Sequence, residues 1–176
     1  MSDNHKKKKR LKKRRFLTKQ ERQLIERWVS QMGNYPLDTP YQKMKIAEQI
    51  MQLPYKMIGN GLNRMVFDLG NGYVLKVAVS GIGLTSNKKE YTLYHSCHKE
   101  IRPFLCPVLE MGEGWIVMKK VKRKAAININ NLISLVMLSS TFYRNGILPV
   151  DLRLDNVALS TENKMIVIDY GLFIAL

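Results

Sequence analysis

The stretches Asp151-Leu-Arg-Leu-Asp-Asn156 and Ile168-Asp169-Tyr170-Gly171 decide how this 176-residue chain is interpreted. Asn156 and Asp169 lie 13 residues apart. Mg²⁺ bound beside substrate phosphates takes carboxylate and other oxygen ligands of this kind. We therefore interpret the two stretches together as a magnesium and phosphoryl-transfer site, although acidic loops taken alone usually only face water.

A glycine-rich segment upstream supplies the second half of the pattern. Gly59-Asn60-Gly61-Leu62-Asn63-Arg64 follows the apolar pair Met57-Ile58, and a Gly70-Asn71-Gly72 turn separates two strand-like segments. The second of these segments, Tyr73–Ala78, carries Lys76. Glycines at 59 and 61 let backbone N–H groups approach phosphates closely. The segment predicts a strand, a glycine loop, a second strand, a hairpin turn and a third strand.

The chain order of glycine loop, Lys76, Glu90, Asp151, Asn156 and Asp169 resembles the protein-kinase-like superfamily from about residue 55 to residue 172. The resemblance implies an α+β fold. It implies a five-stranded antiparallel N-lobe sheet with one helix, followed by a truncated C-lobe of one helix, the catalytic loop and a metal-binding hairpin.

The same resemblance implies a role for each site residue. Asp151 would orient the attacking hydroxyl, Arg153 would contact the transferring phosphate, and Lys76 paired with Glu90 would bind the α- and β-phosphates. Met118 would guard the back of the adenine pocket, the backbone of Lys119 and Val121 would bond the adenine edge, and Val66 and Ala158 would cover the ring faces. The implied cofactors are ATP, held by Gly59, Asn60, Gly61, Val66, Lys76, Met118, Lys119, Val121 and Ala158, and Mg²⁺, held by Asn156 and Asp169.

Several positions depart from the kinase pattern. Pro149 and Val150 replace the usual His and Arg, and Arg64 replaces the third glycine of the loop. The Arg64 charge is expected near a γ-phosphate, where it would either help or block binding. The sequence ends at Leu176, five residues after Gly171, so we expect no activation segment and no platform for a protein substrate.

The sequence divides into four predicted parts: a disordered basic arm (1–16), a helical extension (17–54), the N-lobe (55–121) and the truncated C-lobe (122–176). Two helix starts are predicted in the extension, at the Thr18/Glu21 capping box and at Thr39-Pro40. A third helix is expected from about Ser86 to Cys97, carrying Glu90. A fourth is expected from Asn131 to about Arg144, with Leu132, Leu135, Val136 and Ser139 on one side.

Further strands are expected at Cys106-Pro107-Val108 and at Trp115–Val121, which would lead into the hinge. The apolar final residues 172–176 suggest docking against the N-terminal helices or another chain. A protein partner or a second copy of the chain would then complete the missing lobe.

Positive charge is concentrated in two places. Residues 1–15 hold nine Lys or Arg against one Asp, which gives +8 of the formal net charge of +15. Residues 6–15 fit a nucleic acid or another anionic surface through counterion release, or form a solvated tail. A second run, Lys119–Lys124, has five cations in six residues at the predicted hinge.

Composition narrows the class of protein. No apolar run is long enough to cross a membrane and no signal peptide is recognisable, so a cytoplasmic location is expected. Cys97 and Cys106 are too few for a disulfide scaffold. With His95 and His98 they do not match common zinc spacings.

Three functions remain open. The first is an ATP- and magnesium-dependent phosphotransferase of the Ser/Thr protein kinase type. The second is a pseudokinase or nucleotide-binding interaction module whose basic arm reaches nucleic acid. The third is a small-molecule kinase resembling the aminoglycoside and choline kinases, which Gly171 after the metal aspartate disfavours.

Overall fold

The computed structural model describes residues 16–35 and 39–176, which form an α+β fold around a five-stranded antiparallel sheet. The strand order is β1-β2-β3-β5-β4, so consecutive strands pair except where β5 lies between β3 and β4. The central sheet consists of β1 (Lys56–Asn60), β2 (Arg64–Asp68), β3 (Tyr73–Ala78), β4 (Val108–Gly112) and β5 (Trp115–Lys119).

The basic arm lies outside the described residues except for its last position. Phe16 was assigned to the disordered arm, and this assignment is wrong for that residue. Its ring packs edge-on against Tyr73 with ring centroids 4.7 Å apart, and its backbone N–H donates to Glu110 at 3.3 Å. Contact with the sheet therefore fixes the position of Phe16.

Two helices precede the sheet, at the predicted starts. In α1 (Lys19–Gln31) the Thr18 hydroxyl accepts from Glu21 N–H and the Glu21 carboxylate accepts from Thr18 N–H. Thr39 caps α2 (Pro40–Met51) in the same reciprocal way. These contacts satisfy backbone donors that a helix start leaves unpaired. A short 3₁₀ turn at Met32–Asn34 follows α1.

The two helices cover one face of the central sheet. Ile25, Trp28 and Ala47 are fully buried there against alternate residues of β2, β3 and β5. Trp28 also donates its indole N–H to the carbonyl of Ala78 at 2.8 Å, at the end of β3. Trp28, Met44 and Met51 of these helices are therefore part of the core.

The third helix, α3 (Gly81–Ser96), packs on the opposite face of the sheet. It begins five residues before the expected start near Ser86. Ser80 caps it, its hydroxyl accepting from Gly83 N–H at 3.1 Å. Gly81 and Gly83 weaken the helical pattern in the sequence, but Gly83 is required because a Cβ there would lie 2.1 Å from the Asn63 carbonyl oxygen.

The remaining chain packs below α3 and the sheet. Helix α4 (Ile129–Arg144) begins two residues before the expected start and is capped by Asn128. The predicted packing side of α4 is partly wrong: Leu135 packs against the core, but Leu132 and Val136 are 42% and 69% exposed, and Leu138 and Phe142 are buried instead. Five short strands complete this half: β6 (Arg123–Lys124), β7 (Ile147–Leu148), β8 (Val157–Leu159), β9 (Met165–Val167) and β10 (Ile174–Ala175).

Two strand boundaries and one docking prediction need correction. The fourth strand begins at Val108 rather than Cys106, because the backbone N–H of Cys106 donates to Val167 at 2.8 Å instead of entering the sheet. The fifth strand ends at Lys119 rather than Val121. Phe173 packs against Phe142 of α4, with ring centroids 5.3 Å apart, and not against the N-terminal helices. No helix in residues 16–35 or 39–176 is long and apolar enough to cross a membrane.

The Trp28 hydrogen bond should contribute measurably to stability. We expect Trp28→Phe to lower the free energy of unfolding by about 1–3 kcal/mol more than Trp115→Phe does. Both changes remove one buried indole, but the Trp115 N–H has no hydrogen-bond partner in the described residues. Urea unfolding of the two variants measures the difference. Equal losses would mean that the bond to Ala78 adds nothing.

Candidate active site

The predicted catalytic loop is held between two short strands. It runs from β7 to β8, and β7 pairs with β10, so the segments before Asp151 and after Gly171 are fixed to each other. Asp151 has φ of +62°, a left-handed conformation that costs a non-glycine residue about 1 kcal/mol. This conformation leaves the Asp151 carboxylate 40% exposed at the surface of the loop.

Asn156 fixes the shape of this loop. Its side-chain amide donates to the backbone carbonyl of Asp151 at 2.8 Å and to the Asp151 carboxylate at 3.1 Å. The other Asp151 oxygen lies 3.6 Å from Nε of Arg153. The guanidinium of Arg153, predicted to contact a transferring phosphate, thus lies beside the carboxylate predicted to orient the acceptor.

Asp169 lies next to this loop because backbone hydrogen bonds join the two stretches. The N–H groups of Ile168 and Asp169 both donate to the carbonyl of Asn156, at 2.8 and 3.4 Å. Strands β8 and β9 pair between them, so the segment from Asn156 to Asp169 forms a closed hairpin. The structure therefore brings the two predicted metal ligands into one place.

Lys76 and Glu90 are in contact, as the sequence predicts. Nζ of Lys76 lies 3.0 and 3.1 Å from the two carboxylate oxygens of Glu90, and it also donates to the carbonyl of Ile168 at 2.8 Å. Both side chains are buried, with Glu90 entirely inaccessible. Lys76 therefore links β3, α3 and the segment that carries Asp169.

Arg64 occupies the centre of the site. Its guanidinium lies 3.0 Å from the Glu90 carboxylate, forms an ion pair with Asp169 and donates to the side chain of Asn87 at 3.3 Å. The Arg64 side chain is 9% exposed. The sequence placed this charge near a γ-phosphate, whereas the structure places it on the carboxylates below the glycine loop.

The charges around Asp169 favour the ionised form of its carboxylate. Burial opposes the charge on Asp169, but the positive charges of Lys76 and Arg64 outweigh it and hold the pKa of Asp169 well below its usual range. Burial likewise opposes the charge on Arg64, and the carboxylates of Glu90 and Asp169 raise its pKa nonetheless. Two cations and two carboxylates thus balance in one cluster.

Gly171 sets the distance between Asp169 and helix α3. A Cβ at Gly171 would lie 2.5 Å from Cβ of Ser86, one turn before Glu90. The neighbouring Tyr170 donates its N–H to Glu90 at 3.1 Å and its hydroxyl to the Cys106 carbonyl at 2.7 Å. The glycine therefore allows the segment after Asp169 to lie directly on α3.

Four of the predicted nucleotide residues, Gly59, Val66, Lys76 and Met118, share one face of the sheet, whereas Asn60 pairs with Met65, which is buried on the opposite face. Val66 is the partner of Gly59 in one ladder and of Lys76 in the next, so the three lie side by side across β1, β2 and β3. Met118 is buried on β5 opposite Val74. Gly59 and Asn60 belong to β1 itself, and the turn around Gly61 is closed by a 2.9 Å bond from its N–H to the Arg64 carbonyl.

The predicted hinge is bonded to the start of β4. The N–H of Lys119 donates to the Pro107 carbonyl at 3.0 Å, and the Lys119 carbonyl accepts from the Cys106 thiol at 3.0 Å. Burial raises the pKa of that thiol to about 12, so it stays protonated. An adenine edge would therefore have to share the Lys119 carbonyl with Cys106. Val121 is half-buried, and Ala158 is buried on β8.

The donor set suits a metal that is shared with phosphates. No group of three or more His, Cys, Asp or Glu side chains within the described ranges is arranged to hold an ion by itself. Magnesium usually takes one or two protein carboxylates and completes its shell with substrate phosphates and water. Asp169, ionised and 44% exposed, and the amide oxygen of Asn156 meet that requirement.

Comparison with solved structures identifies the class of fold. The α+β arrangement matches the bifunctional kinase-methyltransferase WbdD, whose structure with the kinase inhibitor LY294002 gives a TM-score of 0.56 at 21% identity, covering 70% of this chain and 33% of that one. A second WbdD structure gives 0.53 at 18% identity, covering 78% and 33%. The chain thus spans about one third of the length of WbdD. The likeness supports a kinase-like fold. No protein-family model and no curated protein matches the chain.

Sequence reasoning missed the network around Arg64. The side-chain oxygen of Asn87 accepts a hydrogen bond from Arg64. Its amide group donates to the carbonyl of Gly114, in the turn between β4 and β5, at 3.0 Å. The available signal was the exchange of a glycine for an arginine at the start of β2. A cation there lies on the same face as Lys76 of the next strand, two positions from Val66, the ladder partner of Lys76, so both cations require acidic partners.

We expect Gly171→Ala to disrupt the site. The new Cβ would push α3 away and separate Glu90 from Lys76, so the thermal midpoint should fall and nucleotide binding should weaken at least tenfold, about 1.4 kcal/mol. Fluorescence-detected binding and thermal melting measure both effects. Gly33→Ala is the control, since a Cβ there meets nothing within 4 Å. Adding Ser86→Gly to the first variant should restore part of the binding, and a Gly171→Ala protein that binds normally would contradict the assignment.

Proposed function

We propose that the chain is an ATP- and magnesium-dependent phosphotransferase that transfers the γ-phosphate to a hydroxyl, of the Ser/Thr protein kinase type. The observation that carries the proposal is the convergence of Lys76, Glu90, Asp151, Asn156 and Asp169, from four separate segments, on one face of the sheet. A fold like that of a protein described as a kinase-methyltransferase supports it.

Asp151 is the group that would orient the acceptor hydroxyl. Its carboxylate is exposed and fixed by Asn156, so it can accept a hydrogen bond from a hydroxyl without moving. Arg153, 61% exposed, can swing from Asp151 towards developing charge on the transferred group. Positioning and charge stabilisation of this kind supply most of the catalysis in phosphoryl transfer.

Lys76 is the group that would bind the nucleotide phosphates. Glu90 and the Ile168 carbonyl fix its ammonium group beside the segment that carries Asp169. Asn156 and Asp169 would hold Mg²⁺, which when bound neutralises phosphate charge. Because Asp169 is ionised at neutral pH, the site needs no proton release to accept a cation.

The decisive test is transfer of label from radiolabelled ATP. Purified protein with magnesium should label itself or an added acceptor protein, and Asp169→Ala should abolish labelling. Asp151→Asn should reduce it by roughly 100-fold or more while nucleotide binding persists, because the loss of a positioned base costs this much. Undiminished transfer by Asp151→Asn would refute its role.

A second function, nucleotide binding without transfer, is favoured by Arg64. Its guanidinium holds Asp169 and Glu90, the carboxylates that a metal and Lys76 would use. A protein that keeps this ion pair closed would bind a nucleotide as a regulatory module. Wild-type protein that melts at a higher temperature with magnesium and ATP, yet labels nothing, would fit this alternative.

Replacing Arg64 separates the two functions. We expect Arg64→Gly to lower the magnesium concentration needed for nucleotide binding about tenfold, because a competing charge-assisted bond is removed. Its thermal midpoint without ligand should fall, since buried Glu90 loses a partner. Arg64→Lys keeps the positive charge but lacks the two-pronged guanidinium. Its magnesium requirement should therefore lie between those of the wild type and Arg64→Gly. Transfer gained only in Arg64→Gly would show that Arg64 blocks catalysis, and an unchanged magnesium requirement would refute the competition.

A further inference from the structure

A cavity of about 800 Å³ opens beside the hinge, and neither Lys76 nor Asp169 lines it. It is formed by the segment after α3, the hinge, and the turn between β8 and β9. Its size is that of a ligand-binding pocket. Among the residues that line it, only Lys119 and Val121 belong to the predicted nucleotide site.

The rim of the cavity is strongly positive. Six of the lining residues are Lys or Arg and none is acidic: Lys99, Arg102, Lys119, Lys120, Lys122 and Arg123. Lys120 is paired with Asp68, and Arg102 donates to the carbonyls of His95 and Cys97. Lys99, Lys119 and Lys122 form no ion pair with a carboxylate in the described part of the chain.

The floor of the cavity is apolar. Leu105, Pro107, Val121 and Ile166 line it together with the ring of Tyr94. The guanidinium of Arg102 lies 6.0 Å from the centre of that ring. An aromatic surface beneath a ring of cations suits a ligand with a flat apolar part and several phosphates.

The second basic feature of the chain joins the fold beside this rim. Residues 1–15, with their charge of +8, lead into Phe16, which packs on Tyr73. Tyr73 is the ladder partner of Lys119, and the neighbouring Gly72 accepts from Lys120 N–H at 2.9 Å. The described chain therefore begins next to the strand that carries Lys119, and the +8 charge of residues 1–15 precedes that point in the sequence.

We propose that the cavity beside the hinge binds single-stranded nucleic acid, with one base on the floor beside Tyr94 and the flanking phosphates on the rim cations. Single strands expose bases that can enter a cavity, whereas a duplex keeps them stacked inside. The lining shares Lys119 and Val121 with the predicted hinge but includes none of Lys76, Asp151, Asn156 and Asp169, so the site would give the protein a nucleic-acid partner without using the transfer residues.

Fluorescence anisotropy of the full chain with a labelled oligothymidylate of about 16 nucleotides tests the site. Lys99→Ala/Lys122→Ala should reduce the slope of log K against log salt concentration by about 1.4, which is ~0.7 for each phosphate that is no longer neutralised. Lys88→Ala/Lys89→Ala is the matched control, since these exposed lysines of α3 lie outside the cavity. The control should leave the slope unchanged.

Tyr94→Leu tests the floor separately from the rim. Removing the aromatic face should weaken binding about tenfold with no change in the salt slope, because stacking involves no counterion. A thermal melt confirms that each variant is folded. The proposal fails if both lysine pairs lower the slope equally, if a duplex with the same number of phosphates binds as tightly, or if Tyr94→Leu binds as wild type does.

Discussion

The carboxylate of Glu90 is the interaction on which the rest of the structure depends. It is inaccessible to water and accepts from Lys76, Arg64 and the backbone of Tyr170. A buried carboxylate costs several kcal/mol unless it is paired and fully hydrogen-bonded. The Glu90 carboxylate is therefore stabilised only when β2, β3, α3 and the segment after Asp169 are all in place.

The two faces of the central sheet differ: one is covered by helices, and the other carries the residues of the candidate site. Its outer face is covered by α1 and α2 in an almost entirely apolar cluster. Its inner face carries Lys76 and Arg64 among residues that pack against α3 and the hairpin of β8 and β9. Strand alternation makes this division possible, because neighbouring residues of one strand point to opposite faces. The rigid outer layer fixes the backbone on which the charged inner layer is positioned.

Local signals in the sequence were sufficient where the interaction is local. The capping boxes at Thr18 and Thr39 and the turn at Gly70-Asn71-Gly72 depend on residues close in the chain, and the structure has helices and a hairpin there. The motif order also indicated that Lys76 meets Glu90, and the two are in contact. The resemblance carried by the motif order also implied an α+β fold with a five-stranded antiparallel sheet, and the structure has both.

The sequence failed where tertiary contacts outweigh local preference. Gly81 and Gly83 disfavour a helix locally, yet α3 begins at Gly81, and glycine is needed at 83 because a Cβ there would lie 2.1 Å from the Asn63 carbonyl oxygen. The packing side of α4 was predicted only in part because apolar residues surround that helix, and packing on Phe173 and its neighbours selects Leu138 and Phe142. The pairing of Arg64 with two carboxylates joins residues 26 and 105 positions away, beyond any local pattern.

The balance of charge around Arg64 has a consequence for how the protein matures. Sites that gather carboxylates for a metal often remain open or unfolded until the ion arrives, because the negative charges repel. Here Lys76 and Arg64 supply the countercharge from within the chain. Formation of this cluster therefore needs no divalent cation to neutralise Glu90 and Asp169.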